Sequence, residues 1–172
     1  VMLRKNFLVL VVFSLVLLSG NSFSAQYENY EWGILKEDAI KQVKQNGYKI
    51  EANESYDDEG QNFIGYNDTL FNEEIMVALL FTPISQKLCA ITISSDEESV
   101  GRKLKDILFD KYGKPHKPNQ FMDKYYFTEN GKISLILKYT FDTKILYYSK
   151  YYRSDYKKEM KKLNTEEAKG KF

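Results

Sequence analysis

The strongest constraint on the fold is one helix with a defined start and end, between Ser95 and Pro115. Ser95 and Glu98 have the spacing of a capping box, in which two side chains satisfy the first backbone amides of a helix. Gly113 and Pro115 are typical of a helix end. Apolar residues recur between them at helical spacing, namely Val100, Leu104, Ile107, Leu108 and Tyr112. The rest of the domain must therefore cover one apolar helix stripe.

Three segments after this helix alternate between apolar and polar residues with a period of two. They are residues 121–128, 133–141 and 144–152, and short turns at 129–131 and 142–143 separate them. We predict three antiparallel strands here. The lysine-rich tail from Asp155 carries Tyr156, Met160 and Leu163, a spacing that predicts a surface helix at the C-terminus.

The chain before the central helix shows the same kinds of pattern. Apolar residues from Ile34 to Val43 lie near helical spacing, and Gly47 follows them, so we predict a first helix that ends at Gly47. Residues 48–52 and 63–66 read as short strands on either side of a polar, acidic loop. Residues 75–81 and 87–95 form a predicted hairpin whose connection is 84–86.

These patterns predict an α+β fold in the order α-β-β-β-α-β-β-β-α. Short connections between neighbouring elements favour an antiparallel sheet with the helices packed on one face. The order is compatible with two degenerate helix-plus-sheet units, but the two halves are too dissimilar in sequence to define a repeat.

The first residues predict export. Arg4 and Lys5 precede an apolar run from Phe7 to Leu18, followed by small and polar residues, which is the order found in signal peptides. The run is shorter than the roughly 20 apolar residues that span a bilayer. We therefore predict a signal peptide at 1–24, cleaved near Ser24 or Ala25, and a single α+β domain at 25–172 without a transmembrane segment. The mature protein would be secreted or periplasmic.

Charge and cysteine content exclude several kinds of function. Cleavage would leave 23 basic residues against 24 acidic ones, so the formal charge of the mature chain moves from +1 to −1 and net charge would not steer a partner. Cys89 is the only cysteine and His116 the only histidine. This pair is too few for the usual zinc sites, and no internal disulfide can form. Cys89 lies in an apolar strand, so we interpret it as a buried structural residue.

The acidic loop resembles a calcium-binding loop only in part. Ser55, Asp57, Glu59 and Gly60 occupy its first, third, fifth and sixth positions, but Tyr66 stands at the twelfth, where a bidentate glutamate is required. We therefore predict no metal site, no cofactor and no catalytic residue.

The stretch from Tyr147 to Lys162 mixes aromatic and basic residues. Rings and cations in this arrangement can bind a phosphate backbone or an anionic surface. We favour a structural interpretation, a strand whose rings cover the sheet followed by a solvated helix, and predict no nucleic-acid partner, because the protein is expected to be exported. An anionic envelope surface is the stronger of the remaining alternatives.

Structural signposts between Trp32 and Tyr152 resemble those of a broad class of small secreted bacterial α+β proteins of unknown function. They are Trp32-Gly33 before a helix, the helix end Tyr112-Gly113-Lys114-Pro115, and the late strand Tyr147-Tyr148-Ser149. Ile34 and Leu35 stand where that class often has a Ser or Thr cap. Helix-on-sheet folds of this kind are also similar, at the level of the fold, to β-lactamase-inhibitor-like proteins and to the small lipoprotein of the outer-membrane assembly machine. The resemblance implies a fold and no activity.

Two functional hypotheses follow. The first is a non-catalytic binding protein that contacts an envelope component or another protein, with Trp32, Tyr125, Tyr147 and Tyr151 as the candidate contact surface. The second is a small secreted hydrolase that uses dispersed carboxylates. The sequence does not define the oligomeric state.

Overall fold

The computed structural model describes residues 30–54, 62–115, 124–129, 133–138 and 143–170. The predicted signal peptide, its cleavage site, the calcium-like loop and His116 lie outside these residues. The elements, in chain order, are α1 (Lys36–Gln45), β1 (Ile50–Glu54), β2 (Phe63–Leu70), β3 (Glu73–Phe81), β4 (Leu88–Ser95), α2 (Glu98–Tyr112), β5 (Lys124–Glu129), β6 (Ile133–Lys138), β7 (Thr143–Ser149) and α3 (Lys150–Gly170).

The described strands form one seven-stranded antiparallel sheet in the order β1-β2-β3-β4-β7-β6-β5. This confirms the predicted α+β class and antiparallel sheet. The predicted order counts three strands between the first two helices, but all four segments identified there, at 48–52, 63–66, 75–81 and 87–95, contribute to strands in the structure. The last strands of the two helix-plus-sheet halves, β4 and β7, pair at the centre, with Ile91 opposite Tyr147 and Ile93 opposite Ile145.

Helices α1 and α2 cover one face of the sheet. Side chains on a strand alternate between faces; the buried residues of β3 follow that alternation, as do those of β4 from Ile91 onward, whereas the first four residues of β4 are all buried. Ala39 and Val43 of α1 and Leu104 of α2 join them in the buried core. Each fully buried Leu or Ile side chain contributes about 1.5–3 kcal/mol to folding relative to an exposed one, so this core holds both helices on the sheet.

The turn between β2 and β3 extends both strands beyond their predicted limits. Phe71 and Asn72 have φ of 58° and 67°, and Leu70 pairs directly with Glu73. Positive φ at both central residues is the geometry of a two-residue hairpin turn that matches the twist of the strands. Glycine is the usual signal for such a turn. Because neither central residue is a glycine, the sequence pattern did not predict the turn.

The predicted capping box does not form, although its serine does bond a backbone amide. Ser95 stays in β4 opposite Thr143, and its hydroxyl donates to the carbonyl oxygen of Glu74 at 3.3 Å and accepts the N–H of Glu97 at 3.1 Å, one residue before the helix. Helix α2 begins at Glu98 with Glu97 as its cap, and no cap side chain bonds the helix. The predicted end is confirmed, since Gly113 has φ of 72° and its N–H donates to Phe109.

The predicted final strand is too long at its C-terminal end. Strand β7 stops at Ser149 and α3 begins at the next residue, so Tyr151 and Tyr152 lie on the first turn of a helix. Helix α3 packs against β4 and β7. It contacts Tyr148, whose side chain points away from the core that holds Tyr147. Two helices thus share one face, and α3 contacts the other.

Among the described residues, no helix is both long and apolar enough to cross a membrane.

Candidate interaction surface on the C-terminal helix

Helix α3 separates its charges by face. Successive residues turn by about 100° in an α-helix, and on that basis the basic residues of α3 occupy roughly half of its circumference. We call this half the cationic face: Lys150, Arg153, Lys157, Lys158, Lys161, Lys162 and Lys169. The opposite half carries the docking stripe, which consists of Tyr152, Tyr156, Glu159 and Leu163. Every member of the docking stripe is half-buried, and no cation of the cationic face is fully buried.

Glu159 attaches α3 to the loop between β3 and β4. Its carboxylate accepts the N–H of Ile84 at 2.8 Å, the N–H of Ser85 at 3.1 Å and the Ser85 hydroxyl at 2.6 Å. Hydrogen bonds to an ionised acceptor are about twice as strong as neutral ones. Glu159 therefore anchors the helix at this loop, with the cationic face turned to solvent.

The bonds to Glu159 also decide its ionisation. Burial alone raises the pKa of Glu159, but the donors on Ser85, Ile84 and Thr82 outweigh burial and hold that pKa below its usual value. The side chain is therefore an ionised anchor at neutral pH. A carboxylate stabilised in this way is a weak base, so the Ser85–Glu159 pair is not arranged for nucleophilic catalysis.

A second attachment lies at Gly33, two turns of α3 away. A Cβ atom placed on Gly33 would overlap the hydroxyl end of Tyr152, so any larger residue here would have to displace this ring. Gly33 has φ of 85° and donates its N–H to Leu88 at 3.0 Å, which ties it to the start of β4. The Trp-Gly pair seen in the sequence thus serves the docking of the last helix.

Cys89 is buried near α3. The side chain is 4% exposed, and its thiol lies 3.4 Å from the carbonyl oxygen of Leu80. Burial raises the pKa of the Cys89 thiol to about 12, and the charged groups that act on it, Arg153 and Glu159, both belong to α3. Since the thiolate is the reactive form, Cys89 is inert at neutral pH. This supports the structural interpretation of Cys89.

Three cations converge at the start of α3. Tyr148, Lys150, Arg153, Ser154 and Lys157 line an open cavity of about 350 Å³. The Arg153 guanidinium lies 4.1 Å from the centroid of the Tyr148 ring, a cation–π contact that restrains it. The first turn of α3 contains no acidic residue, so its cations stand at the positive end of the helix dipole, which is unfavourable for folding.

Two of the lysines farther along α3 are paired with carboxylates, unlike the cations of this cavity. Lys158 pairs with Asp155 at 3.3 Å, and Lys162 lies 3.9 Å from Glu166. Within the described part of the chain, Lys150, Arg153 and Lys157 form no ion pair with a carboxylate. Lys161 and Lys169 likewise form no ion pair among the described residues, so unpaired cations extend along the cationic face, and three of them meet at the start of α3. A second open cavity, of about 330 Å³, continues along the lysines of the later turns.

An acidic groove lies at the other end of the central strands. Its volume is about 510 Å³, and its carboxylates are those of Glu73, Glu74, Asp96 and Glu97. The exposed side chain of Met76 also lines it. In the described ranges, no three acidic, histidine or cysteine side chains lie close enough to hold a metal ion.

A buried lysine braces the loop that receives Glu159. Lys36 is 5% exposed and donates to the carbonyl oxygen of Glu54 and, at 2.9 Å, to Asn62 Oδ1. Asn62 in turn donates to the carbonyl oxygen of Thr82 at 3.0 Å. Burial lowers the pKa of Lys36, and Glu54 partly opposes this. Its ammonium group donates to a backbone carbonyl and to a buried amide that holds the loop, so we assign Lys36 a structural role.

The structure separates the four predicted contact residues. Tyr147 is buried in the core, and Trp32 packs against it with a buried Nε1 atom that has no hydrogen-bond partner in the described chain. Tyr151 is 68% exposed, but it lies on α3 and not on the sheet as predicted. The Tyr125 side chain is outside the described set. Of the three whose side chains are described, only Tyr151 contributes to the surface described above.

The sequence patterns do not predict that Glu159 and Gly33 hold the last helix in place beside the cavity. A signal existed for Glu159, because it shares a helical stripe with Tyr152, Tyr156 and Leu163, whereas the lysines lie on other faces. No sequence signal marked the partners of Glu159 in the loop after β3.

No protein-family model, no curated protein and no solved structure matches this chain. The resemblance to small secreted bacterial proteins and to β-lactamase-inhibitor-like proteins therefore stays a prediction.

Proposed function

We propose that this chain is an exported, non-catalytic binding protein that attaches to a phosphate-bearing anionic surface of the cell envelope. The cationic face of α3 makes the contact. The observation that carries the proposal is the separation of charge on α3, whose cations face outward while Glu159 and Tyr152 hold the opposite side to the domain.

Electrostatics of this kind act locally. Each Lys or Arg close to an anionic membrane contributes about 1 kcal/mol of attraction, and salt screens that attraction beyond about 10 Å. A nearly neutral protein can therefore bind an anionic surface through one face, provided that its cations are grouped there. The exposed ring of Tyr151 lies beside this face and suits the polar boundary of a membrane.

The proposal is tested with vesicles of anionic phosphatidylglycerol and of zwitterionic phosphatidylcholine. The mature chain should sediment with the anionic vesicles, less so as salt is raised, and not with the zwitterionic ones. Lys157→Glu combined with Lys161→Glu should weaken binding at least tenfold, since each change removes one attraction of about 1 kcal/mol and adds a repulsion.

A matched control changes the same charge elsewhere. Lys44 and Lys114 are exposed and lie off α3, so Lys44→Glu with Lys114→Glu should alter binding far less. Equal losses in both double variants would show that only net charge matters, and absence of binding to either vesicle would reject the proposal.

The alternative, a small secreted hydrolase with dispersed carboxylates, draws support from the acidic groove alone. Glu74, Asp96 and Glu97 are exposed there, whereas an acid catalyst needs a carboxyl group kept protonated, usually by burial. Hydrolysis of a glycoside or ester that disappears in Glu97→Gln would favour this alternative over binding.

A further inference from the structure

The cavity at the start of α3 has features beyond a general positive charge. Arg153 and Arg102 are the two arginines in the described chain, and all other strong cations there are lysines. Arginine differs from lysine in presenting a rigid, planar fork of donors that matches two oxygens of one phosphate group. Arg153 can therefore bind one phosphate group through two directional hydrogen bonds, which a lysine in this cavity cannot do.

Tyr148 holds this fork in place. The guanidinium carbon of Arg153 lies 4.1 Å from the centroid of the Tyr148 ring, and both side chains are half-buried. Tyr148 itself is held in the central part of the sheet, between Ala90 of β4 and Ser134 of β6. Since β7 passes into α3 without a loop, ring and guanidinium are carried on one continuous backbone segment. The fork is thus largely pre-organised before any ligand arrives.

The remaining groups around the cavity complete an anion site. Lys150 and Lys157 stand one turn on either side of Arg153, and the Ser154 hydroxyl can donate a further hydrogen bond. None of the three cations pairs with a carboxylate in the part of the chain that the structure describes. An opening of about 350 Å³ exceeds the size of one phosphate and leaves room for the group attached to it.

We infer that this cavity binds a single phosphate group, gripped by the fork of Arg153 and flanked by Lys150 and Lys157. The inference rests on the proposed function and names the chemical group that the anionic surface presents. The same phosphate chemistry occurs in a lipid headgroup and in a free phosphate ester, so the experiment uses both.

The decisive variant is Arg153→Lys, which keeps the charge and removes the fork. Loss of one charge-assisted hydrogen bond should weaken binding roughly threefold to tenfold, both to phosphatidylglycerol vesicles and to glycerol 3-phosphate. Arg102→Lys is the matched control, because it makes the same chemical change at an exposed position of α2 and should leave both affinities unchanged. Tyr148→Phe keeps the ring and should bind as the natural chain does, while Tyr148→Leu should resemble Arg153→Lys.

The outcomes separate the two proposals. Binding to vesicles alone, weakened by Arg153→Lys, identifies a lipid headgroup, and binding to glycerol 3-phosphate as well identifies a site for free phosphate esters. If Arg153→Lys binds as tightly as Arg102→Lys while the Lys157 and Lys161 reversals still abolish vesicle binding, the phosphate site is overturned and the proposed function stands. If the reversals also have no effect, both are overturned.

Discussion

At the scale of single residues, two glycines with nearly the same backbone conformation have different tasks. Gly33 and Gly47 have φ of 85° and 87°, a region that side chains rarely adopt. Gly47 ends α1 and has open space where a Cβ would lie, whereas Gly33 lies directly against Tyr152. The role of Gly47 is local, whereas that of Gly33 depends on a residue more than a hundred positions away.

The comparison of these glycines gives a prediction about stability. Gly47→Ala should cost about 1–2 kcal/mol from backbone strain alone, and Gly33→Ala should cost about 2–4 kcal/mol because overlap with Tyr152 is added. Urea denaturation of both variants measures the difference. In a Tyr152→Ala background, Gly33→Ala should cost no more than Gly47→Ala, and an unchanged cost there would show that Tyr152 is not the obstacle.

At the scale of elements, α3 is attached differently from the other two helices. Helices α1 and α2 bury Ala39, Val43, Leu104 and Leu108 in the core, whereas the docking stripe of α3 remains half-buried. The attachment of α3 therefore depends on the hydrogen bonds of Glu159. This polar attachment leaves the cationic face exposed, and it makes the position of α3 sensitive to the ionisation of Glu159.

This attachment predicts a pH dependence with a definite sign. Because the folded pKa of Glu159 lies below its usual value of 4.5, its contribution to stability is present above that pH and is lost as pH falls through the folded pKa. The natural chain should therefore lose about 1 kcal/mol more than Glu159→Gln between about pH 6 and pH 3. Denaturant midpoints at both pH values measure the difference.

Glu166→Gln provides the control for that measurement. Glu166 is exposed and lies 3.9 Å from Lys162, so removing its charge should reproduce little of the effect. A Glu159→Gln variant with the full acid sensitivity of the natural chain would contradict the assignment of the anchor to Glu159.

At the scale of the whole molecule, a formal charge near zero conceals a strong separation. The acidic groove lies where β3 begins and β4 ends, whereas the cationic cavity lies near Tyr148, which pairs with Ala90 close to the start of β4. The two charged regions thus occupy opposite ends of the central strands. Net charge alone would have excluded an electrostatic partner, but the local arrangement does not.

The position of each element in the fold predicts how stability is distributed along the chain. The most protected backbone amides should be those of β3 and β4, which lie inside the sheet and carry core side chains such as Val77 and Ile91. Amides of α3 should exchange at least tenfold faster, since no side chain described on α3 is fully buried. Hydrogen-exchange mass spectrometry measures both, and equal protection of α3 and β4 would contradict a weakly attached helix.

Much of the fold could be predicted because its signals are local. The apolar stripe of α2, the glycines after α1 and α2, and the alternation in β3 to β7 all act between neighbouring residues. Boundaries failed where a distant contact decided them. Ser95 has the pattern of a helix cap, yet the carbonyl of Glu74 and the pairing with Thr143 keep it in a strand. Tyr151 and Tyr152 favour a strand by type, yet they form the first turn of α3.

Periodicity and apolar surroundings express three features directly in the sequence, namely the α+β class, the antiparallel sheet and the structural role of Cys89. Which residues form the proposed binding surface depends on tertiary contacts. Glu159 meets the loop after β3, Tyr152 meets Gly33, and Tyr148 supports Arg153. The first two contacts join residues far apart along the chain, and the third forms where β7 turns into α3. The stripe that contains Tyr152 and Glu159 is periodic in the sequence, but no pattern marks the partner that either side chain meets, because that depends on how the elements pack.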